Sequence, residues 1–358
     1  MKRPPVRDDL VAMDGYHSPQ VDVEVRLNTN EAPEPPPEMF MKRLLEELSK
    51  LHLNRYPDRT SSELRASLAK LHKVDPSEVF VANGSNEVLQ TICLTFGGSG
   101  RVAASFEPTY AMYSQIARST QMNVVEGLRD EHYRVSLNEL ERVVETYEPA
   151  ITFLCSPNNP TGTPESPELI ERALELSSGL VVVDEAYGQF AKFTALDFLR
   201  APEPPESLIV TRTFSKTWSM AGARLGYCVA PSWIIEEFDK VVLPYHVDAI
   251  KQVAGRLALD FVPEMDERVD RISSERNKIE KALRELDLVV WPSEANFVLF
   301  RSTNPVFPGN LIWEHLLDRS ILVRNCSSWP LLEGCLRVTV GNPNENDRFI
   351  GALQEIIA

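Results

Sequence analysis

Long hydrophobic runs are missing from this sequence: no apolar stretch approaches the roughly 20 residues that a membrane-spanning helix needs. Cysteine is sparse. Five in 358 residues, at Cys93, Cys155, Cys228, Cys326 and Cys335, are too irregularly spaced for a disulfide framework or a zinc site. The six histidines (His17, His52, His72, His132, His246, His315) form no HExxH and no cluster, which speaks against a bound metal. Positive charge is in deficit as well. Against 37 Lys and Arg stand 52 Asp and Glu, a net charge of −15, the wrong sign for a nucleic-acid surface. An anionic small molecule stays compatible, because a few arginines can dominate the field inside a cleft. The first residues, MKRPPVRDDLVAMDG, carry neither the apolar core nor the small-residue cleavage site of a secretory signal. A reducing cytoplasm is the expected compartment.

What is there is ordinary in amount, 43% hydrophobic and 25% charged, and informative in order. The length suggests one large domain with a smaller one attached. The first 40 residues are irregular, and Pro33, Pro35, Pro36 and Pro37 break any helix there. From Ser61 and Ser62, ELRASLAKLHKV reads as a capped amphipathic helix with Leu64, Leu68 and Leu71 on one face. Short apolar runs then alternate with helical stretches. The strands expected are 79–82, 101–104, 151–154, 180–183 and 208–211, apolar throughout as in strands buried on both faces. Such alternation is the signature of an α/β fold with a mostly parallel sheet. Near Pro244 the pattern changes to long helices over 248–286, followed by strand-like segments at 296–300 and 336–340. The expected division is an N-terminal arm over 1–45 packing on a small domain, a large domain over 46–245, and a small α+β domain over 246–358. No internal repeat is evident.

The polar residues that follow the strands carry the functional reading. In open α/β sheets a ligand binds beyond the carboxyl ends of the strands, so clusters placed there converge in space. Run 79–82 leads to Asn83-Gly84-Ser85-Asn86-Glu87, and run 101–104 to Glu107-Pro108-Thr109-Tyr110. Run 151–154 leads to Ser156-Pro157-Asn158-Asn159-Pro160-Thr161-Gly162, run 180–183 to Asp184-Glu185-Ala186-Tyr187, and run 208–211 to Arg212-Thr213-Phe214-Ser215-Lys216. Each has a plain alternative. Gly84-Ser85-Asn86 opening a helix suits a phosphate but also a simple N-cap. Tyr110 is placed to stack on a planar ring or to sit exposed in a turn. Asn159-Pro160-Thr161-Gly162 has the composition of any turn. Asp184 ends an apolar strand, where a carboxylate is costly without a charged partner. Lys216 alone would be a solvated lysine. Arg224, eight residues on, sits among small and apolar neighbours, which is unusual for a surface arginine.

As an ordered set these motifs resemble the histidinol-phosphate aminotransferase family, pyridoxal-phosphate enzymes of fold type I. The likeness runs nearly end to end: LNTNE (27–31), NRYPD (54–58), NGSNE (83–87), EPTYAMY (107–113), CSPNNPTG (155–162), VVVDEAY (181–187), RTFSKTWSMAGARLGY (212–227), LPYHVDAIKQVA (243–254), ANFVLFR (295–301), ILVRN (321–325) and LRVTVG (336–341). The resemblance implies pyridoxal 5′-phosphate as cofactor, bound covalently by Lys216, whose amine then carries a proton at the substrate's Cα. It implies that Asp184 keeps the pyridine nitrogen protonated and that Asn159 and Tyr187 hydrogen-bond the ring's phenolic oxygen. Tyr110 would stack on the ring. Ser85, Asn86, Thr213, Ser215 and Arg224 would hold the phosphate. Tyr56 would reach a neighbouring subunit's cofactor, which implies a two-fold homodimer with composite sites. Arg337 would grip the carboxylate of glutamate, or the phosphate of histidinol phosphate, with Arg324, Asn159 and Tyr16 assisting.

The sequence departs from the family pattern at Asn86, where the family usually has Asp, and over Ala32-Pro33-Glu34-Pro35-Pro36-Pro37, where NPYGPS-like residues are usual. It departs again at Thr217-Trp218, usually Ala-Phe. Asn86 still donates and caps. Trp218 either reshapes the side-chain pocket or fills a core gap. The reaction implied is transfer of an amino group between histidinol phosphate and 2-oxoglutarate, a step of histidine biosynthesis. The alternatives are an aromatic amino acid aminotransferase and a phospho-amino-acid decarboxylase on the same fold. A non-catalytic cofactor-binding effector domain is disfavoured, since no basic helix-turn-helix fits before Ser61.

Overall fold

In the computed structural model, which describes residues 3–11, 13, 15 and 21–357, the apolar runs become strands of two sheets. In chain order the strands are β1 (Val25–Leu27), β2 (Val79–Ala82), β3 (Val102–Glu107), β4 (Asn123–Leu128), β5 (Ile151–Cys155) and β6 (Leu180–Asp184). They continue with β7 (Leu208–Thr213), β8 (Gly226–Val229), β9 (Val289–Val290), β10 (Phe297–Arg301), β11 (Ile321–Asn325) and β12 (Cys335–Thr339). The larger sheet has the order β2-β8-β7-β6-β5-β3-β4 and the smaller β1-β11-β12-β10-β9. In the larger sheet only β8 runs against its neighbours; the other six strands share one direction. The mostly parallel α/β sheet expected from the alternation is what the chain forms.

The reason lies in the side-chain period of two. Val181 and Val183 point into one apolar cluster, with Leu154, Leu208 and Val210. Leu180 and Val182 point into another, on the opposite face, with Ile151, Phe153 and Ile209. Helices cover both faces, so every position of β5, β6 and β7 is buried, and charge is confined to the carboxyl ends of these strands, at Asp184 and Arg212. A fully buried valine or leucine contributes roughly 1.5–3 kcal/mol, enough to set register across the sheet.

Two strands of this sheet escaped the sequence reading. β4 lies at an edge and pairs only with β3; its polar outer face, with Glu126, hides the strand pattern. β8 lies inside the glycine-containing stretch after Lys216. Gly226 begins it because a Cβ there would meet Ser85 N at 2.3 Å, so only glycine lets β8 pass the start of the helix Ser85–Phe96.

The helix Ser62–His72 forms as expected, but its cap differs. Ser61 is in the left-handed region (φ 52°) and makes no capping bond. Asp58 does the work instead, accepting from Ser62 N at 2.6 Å and from Ser62 Oγ at 2.5 Å. The Ser62 hydroxyl, the largest influence, helps pull the Asp58 carboxyl down to about 2 against the cost of desolvation. The long helical stretch is likewise two helices, Ala249–Ala258 and Val262–Glu285, parted by a tight turn at Leu259–Phe261. Pro263 falls in the first turn of the second helix, where a missing N–H costs nothing.

In the smaller sheet, β10 and β12 match the two expected segments within one residue at each end, while β1, β9 and β11 were not read as strands. The proline-rich start is less irregular than expected: β1 pairs in parallel with β11, Val25 opposite Ile321. Pro37 then opens a helix, Glu38–Leu48, rather than breaking one. Among the described residues no helix is long and apolar enough to cross a membrane.

Candidate active site

Where the parallel strands end, their polar tails meet. Ser85 and Asn86 open the helix after β2, Tyr110 follows β3, Asn159 follows β5, and Asp184 is the last residue of β6. Tyr187 follows it, and Thr213 closes β7 just before Ser215 and Lys216. All of them, together with Arg224, line one cleft of about 370 Å³. Arg324 from β11 and Arg337 from β12 enter the same cleft from the smaller sheet.

One end of the cleft is built for an anion. Backbone N–H groups of the first helical turn are unpaired by the helix itself and carry its positive dipole end. Gly84 precedes them with φ 88°, and a Cβ there would come within 2.8 Å of Arg224 Nη2. Arginine and helix start can therefore face the same spot only because residue 84 has no side chain. Thr213 Oγ1 donates to Ser215 Oγ at 3.0 Å and accepts from Ser215 N at 3.1 Å, setting two hydroxyls side by side.

Deeper in, Asp184 is 3% exposed. Tyr113 Oη donates to its Oδ2 at 2.8 Å and Ala186 N to its Oδ1 at 3.0 Å. Both donors are neutral, and burial pushes the carboxyl above its ordinary range despite them. The next residue, Glu185, is treated differently: it is buried against Arg212 as an ion pair. One carboxylate of the adjacent pair is satisfied within the core. The other opens on the cleft and suits a cation there.

Lys216 is half-buried, its Nζ donating to Thr29 O at 3.3 Å and lying 5.7 Å from the centre of the Tyr187 ring. Burial, then Arg337 and Arg224 with Glu31 opposing, brings its amine down to about 8. An amine so placed is partly neutral near neutral pH and is both nucleophile and base. Arg337 is buried, donates to Asn159 Oδ1 and to Asn28 O at 2.9 Å, and lies over the Phe297 ring at 5.1 Å. Arg324 lies over Trp329 at 5.5 Å. A buried amine, a buried carboxylate, an anion cradle and two arginines in one cleft are the parts of amino-group chemistry on a phosphorylated cofactor.

Comparison with known proteins agrees with this geometry. A family model described as aminotransferase class I and II matches residues 22–353. The chain belongs to that family. The histidinol-phosphate aminotransferase of Frankia casuarinae is 41% identical over 361 residues, covering 98% of this chain and 89% of that protein. That of Corynebacterium diphtheriae is 38% identical, covering 98% and 96%. Among solved structures, the histidinol-phosphate aminotransferase of Sinorhizobium meliloti in complex with pyridoxal-5′-phosphate superposes with a TM-score of 0.87. At 22% identity, over 98% of this chain and 97% of that one, it shows the shared fold.

In this aminotransferase, two of the site residues expected from sequence stand apart. Tyr56 is outside the cleft, 81% exposed and stacked on Tyr245 at 4.5 Å. Tyr16 lies outside the described residues. Trp218 does not shape the cleft either: it is buried in the core beside Phe214, ring centres 5.6 Å apart. Sequence reasoning gave no role to several residues that the aminotransferase cleft does use. Asn28, Thr29, Asn30 and Glu31 line it from the end of β1, and Tyr113 reaches Asp184 from behind. The signal was available in part, since LNTNE is polar residues following an apolar run, the same logic that exposed the other clusters. Tyr113 sits one helical turn past Tyr110, and nothing in its spacing names Asp184 as its partner.

Proposed function

We propose that this aminotransferase holds pyridoxal 5′-phosphate in the cleft and moves an amino group between histidinol phosphate and 2-oxoglutarate. The observation that carries the reading is the shared cleft itself, which Lys216, Asp184, the anion cradle of Ser85, Asn86 and Arg224, and Arg337 all line. The Asp184 carboxylate, whose hydrogen-bond donors are neutral, and the glycine-cleared space beside Arg224 fit such a cofactor. When bound, the protonated pyridine ring supplies a sink for the electron pair left at the substrate's Cα.

Around it each residue has a task. Ser85, Asn86, Thr213, Ser215 and Arg224 bind the phosphate. Asp184 holds a proton on the pyridine nitrogen, Tyr110 covers a ring face, and Asn159 and Tyr187 face the phenolic oxygen. Lys216 attaches the cofactor through its neutral amine and afterwards takes and returns the proton at Cα. Arg337 grips the glutamate carboxylate and, with Arg324, the phosphate end of the other substrate, a bidentate task suited to guanidinium. Asn159 steadies Arg337, and Tyr16 is assigned to the same pocket by resemblance alone.

The enzyme is further proposed to be a two-fold homodimer, with Tyr56 completing the neighbour's site. The exposed Leu53 and Tyr56, with Tyr245 stacked on Tyr56, support this, since exposed apolar groups gathered in one place call for cover. The proposed division is an arm over 1–45, a cofactor domain over 46–245 and a small domain over 246–358. Five buried free thiols support the reducing cytoplasm as the working compartment.

Half-reactions test the substrate assignment. Holo-enzyme mixed with histidinol phosphate, phenylalanine or threonine phosphate, without a 2-oxo acid, should lose the visible absorbance of the lysine-bound cofactor. Histidinol phosphate is expected to act at least about tenfold faster than the others; preference for phenylalanine would move the enzyme to the aromatic amino acids, and carbon dioxide released from threonine phosphate would make it a decarboxylase. Cofactor attachment to apo-protein should accelerate as pH rises through about 8, the value to which burial brings the Lys216 amine, because only the neutral amine attacks. Stopped-flow absorbance gives the profile. A flat rate across that window would contradict a titrating lysine.

A further inference from the structure

Asn30 has a left-handed backbone (φ 56°), which asparagine tolerates better than most residues. It is almost fully buried, between the end of β12 and Tyr187. Its amide is oriented by its partners. Asn30 N donates to Thr339 Oγ1 at 3.0 Å. The threonine oxygen, having accepted, directs its own hydrogen to Asn30 Oδ1, also at 3.0 Å. The amide nitrogen is then the end that faces Tyr187, and it donates to Tyr187 Oη at 2.9 Å. Asn296 Nδ2 pins the backbone from the other side, donating to Asn30 O at 3.1 Å.

A phenol has a single hydrogen. Tyr187 Oη accepts from Asn30, so that hydrogen must go elsewhere, and among the described residues no acceptor on the chain takes it. The ring is fixed edge-on against Phe297, centres 5.1 Å apart at 86°, and the side left open to the hydroxyl is the cleft that Tyr187 lines. We propose that Thr339 and Asn30 are positioning residues that hold the Tyr187 hydroxyl as a donor into the cleft, toward an anionic oxygen of the bound group. Burial also keeps the phenol well above its ordinary range, against the pull of Arg337 and Asn30, so the hydrogen is present at neutral pH. The inference rests on the function proposed above, in which that oxygen is the phenolic oxygen of the cofactor ring.

The test is the pH midpoint at which the visible absorbance of the holo-enzyme changes, a property of the resting protein rather than of turnover. Asn30→Asp keeps the size and the left-handed tolerance but replaces the donor with an acceptor, so Tyr187 must turn its hydrogen back. A hydrogen bond to a charged oxygen is then lost, and the midpoint should rise by about one to two pH units. Thr339→Val releases the amide to flip and should raise it by less. Tyr187→Phe should raise it the most, and in that background Asn30→Asp should add nothing. An Asn30→Asp shift that persists undiminished beside Tyr187→Phe would show the added charge acting alone and overturn the proposal. Unshifted midpoints in Asn30→Asp and Thr339→Val would do the same, leaving the cofactor reading intact. Should Asn30→Asp fail to fold, Thr339→Val decides. A wild-type protein without any visible band would remove both this inference and the function on which it rests.

Discussion

Lys216→Ala is expected to lower transamination by at least about 10³-fold while the protein stays folded. The size follows from the two tasks given to one amine: proton transfer by a positioned side chain contributes about 10²–10⁴-fold, and covalent attachment adds to it. The survival of the fold follows from the surroundings. Lys216 is half-buried, and its Nζ donates to Thr29 O at 3.3 Å rather than to a carboxylate, so truncation leaves no buried ion without its partner. Turnover with glutamate and a thermal melt are the two measurements. Residual activity above about a tenth of wild type would be incompatible with the role.

Arg337→Ala should give the second largest effect and a different signature. The guanidinium is buried, holds Asn159 and Asn28 O, and faces Phe297. Losing a bidentate, charge-assisted grip on a carboxylate costs about 3–4 kcal/mol, which raises the KM for glutamate by about 10²–10³-fold. The KM for histidinol phosphate should rise as well, because the same group is proposed to meet its phosphate. Cofactor affinity, measured by titration of the apo-protein, should change far less, since the anion cradle is built from other residues, Ser85 and Arg224 among them. Equal losses in both would mean that the substitution had disturbed the fold. Removal of this charge should also let the Lys216 amine drift upward, because Arg337 is among the groups holding it down.

Much of the cleft where the cofactor is proposed to bind could be read from the sequence because most of its residues share one rule: they follow an apolar run that reads as a buried strand. Asp184 stood out for the same reason, as the first charge after four buried aliphatic residues. The residues that support the cleft from behind were less legible. Asn30 depends on Thr339, 309 residues away, and on Tyr187, 157 away; no local pattern encodes such a meeting. The edge strand β4 was lost because one of its faces is wet, and β8 because its glycine reads as a turn until Ser85 is seen against it. The cap of the helix Ser62–His72 was misassigned by proximity: serine is the usual choice next to a helix start, but Asp58 reaches forward four residues and takes both donors of Ser62.

β1 is hydrogen-bonded to β11 of the smaller sheet, and the chain leaves it directly into Asn28–Glu31. Those four residues thus share an anchorage with Arg324 and Arg337, whereas the lysine and tyrosine they touch are anchored in or beside the larger sheet. The seam between the two halves passes through the chemistry. A molecule held as proposed, by arginine and by Lys216, would be a keystone, its own bonds counting among those that fasten the two sheets of the enzyme together.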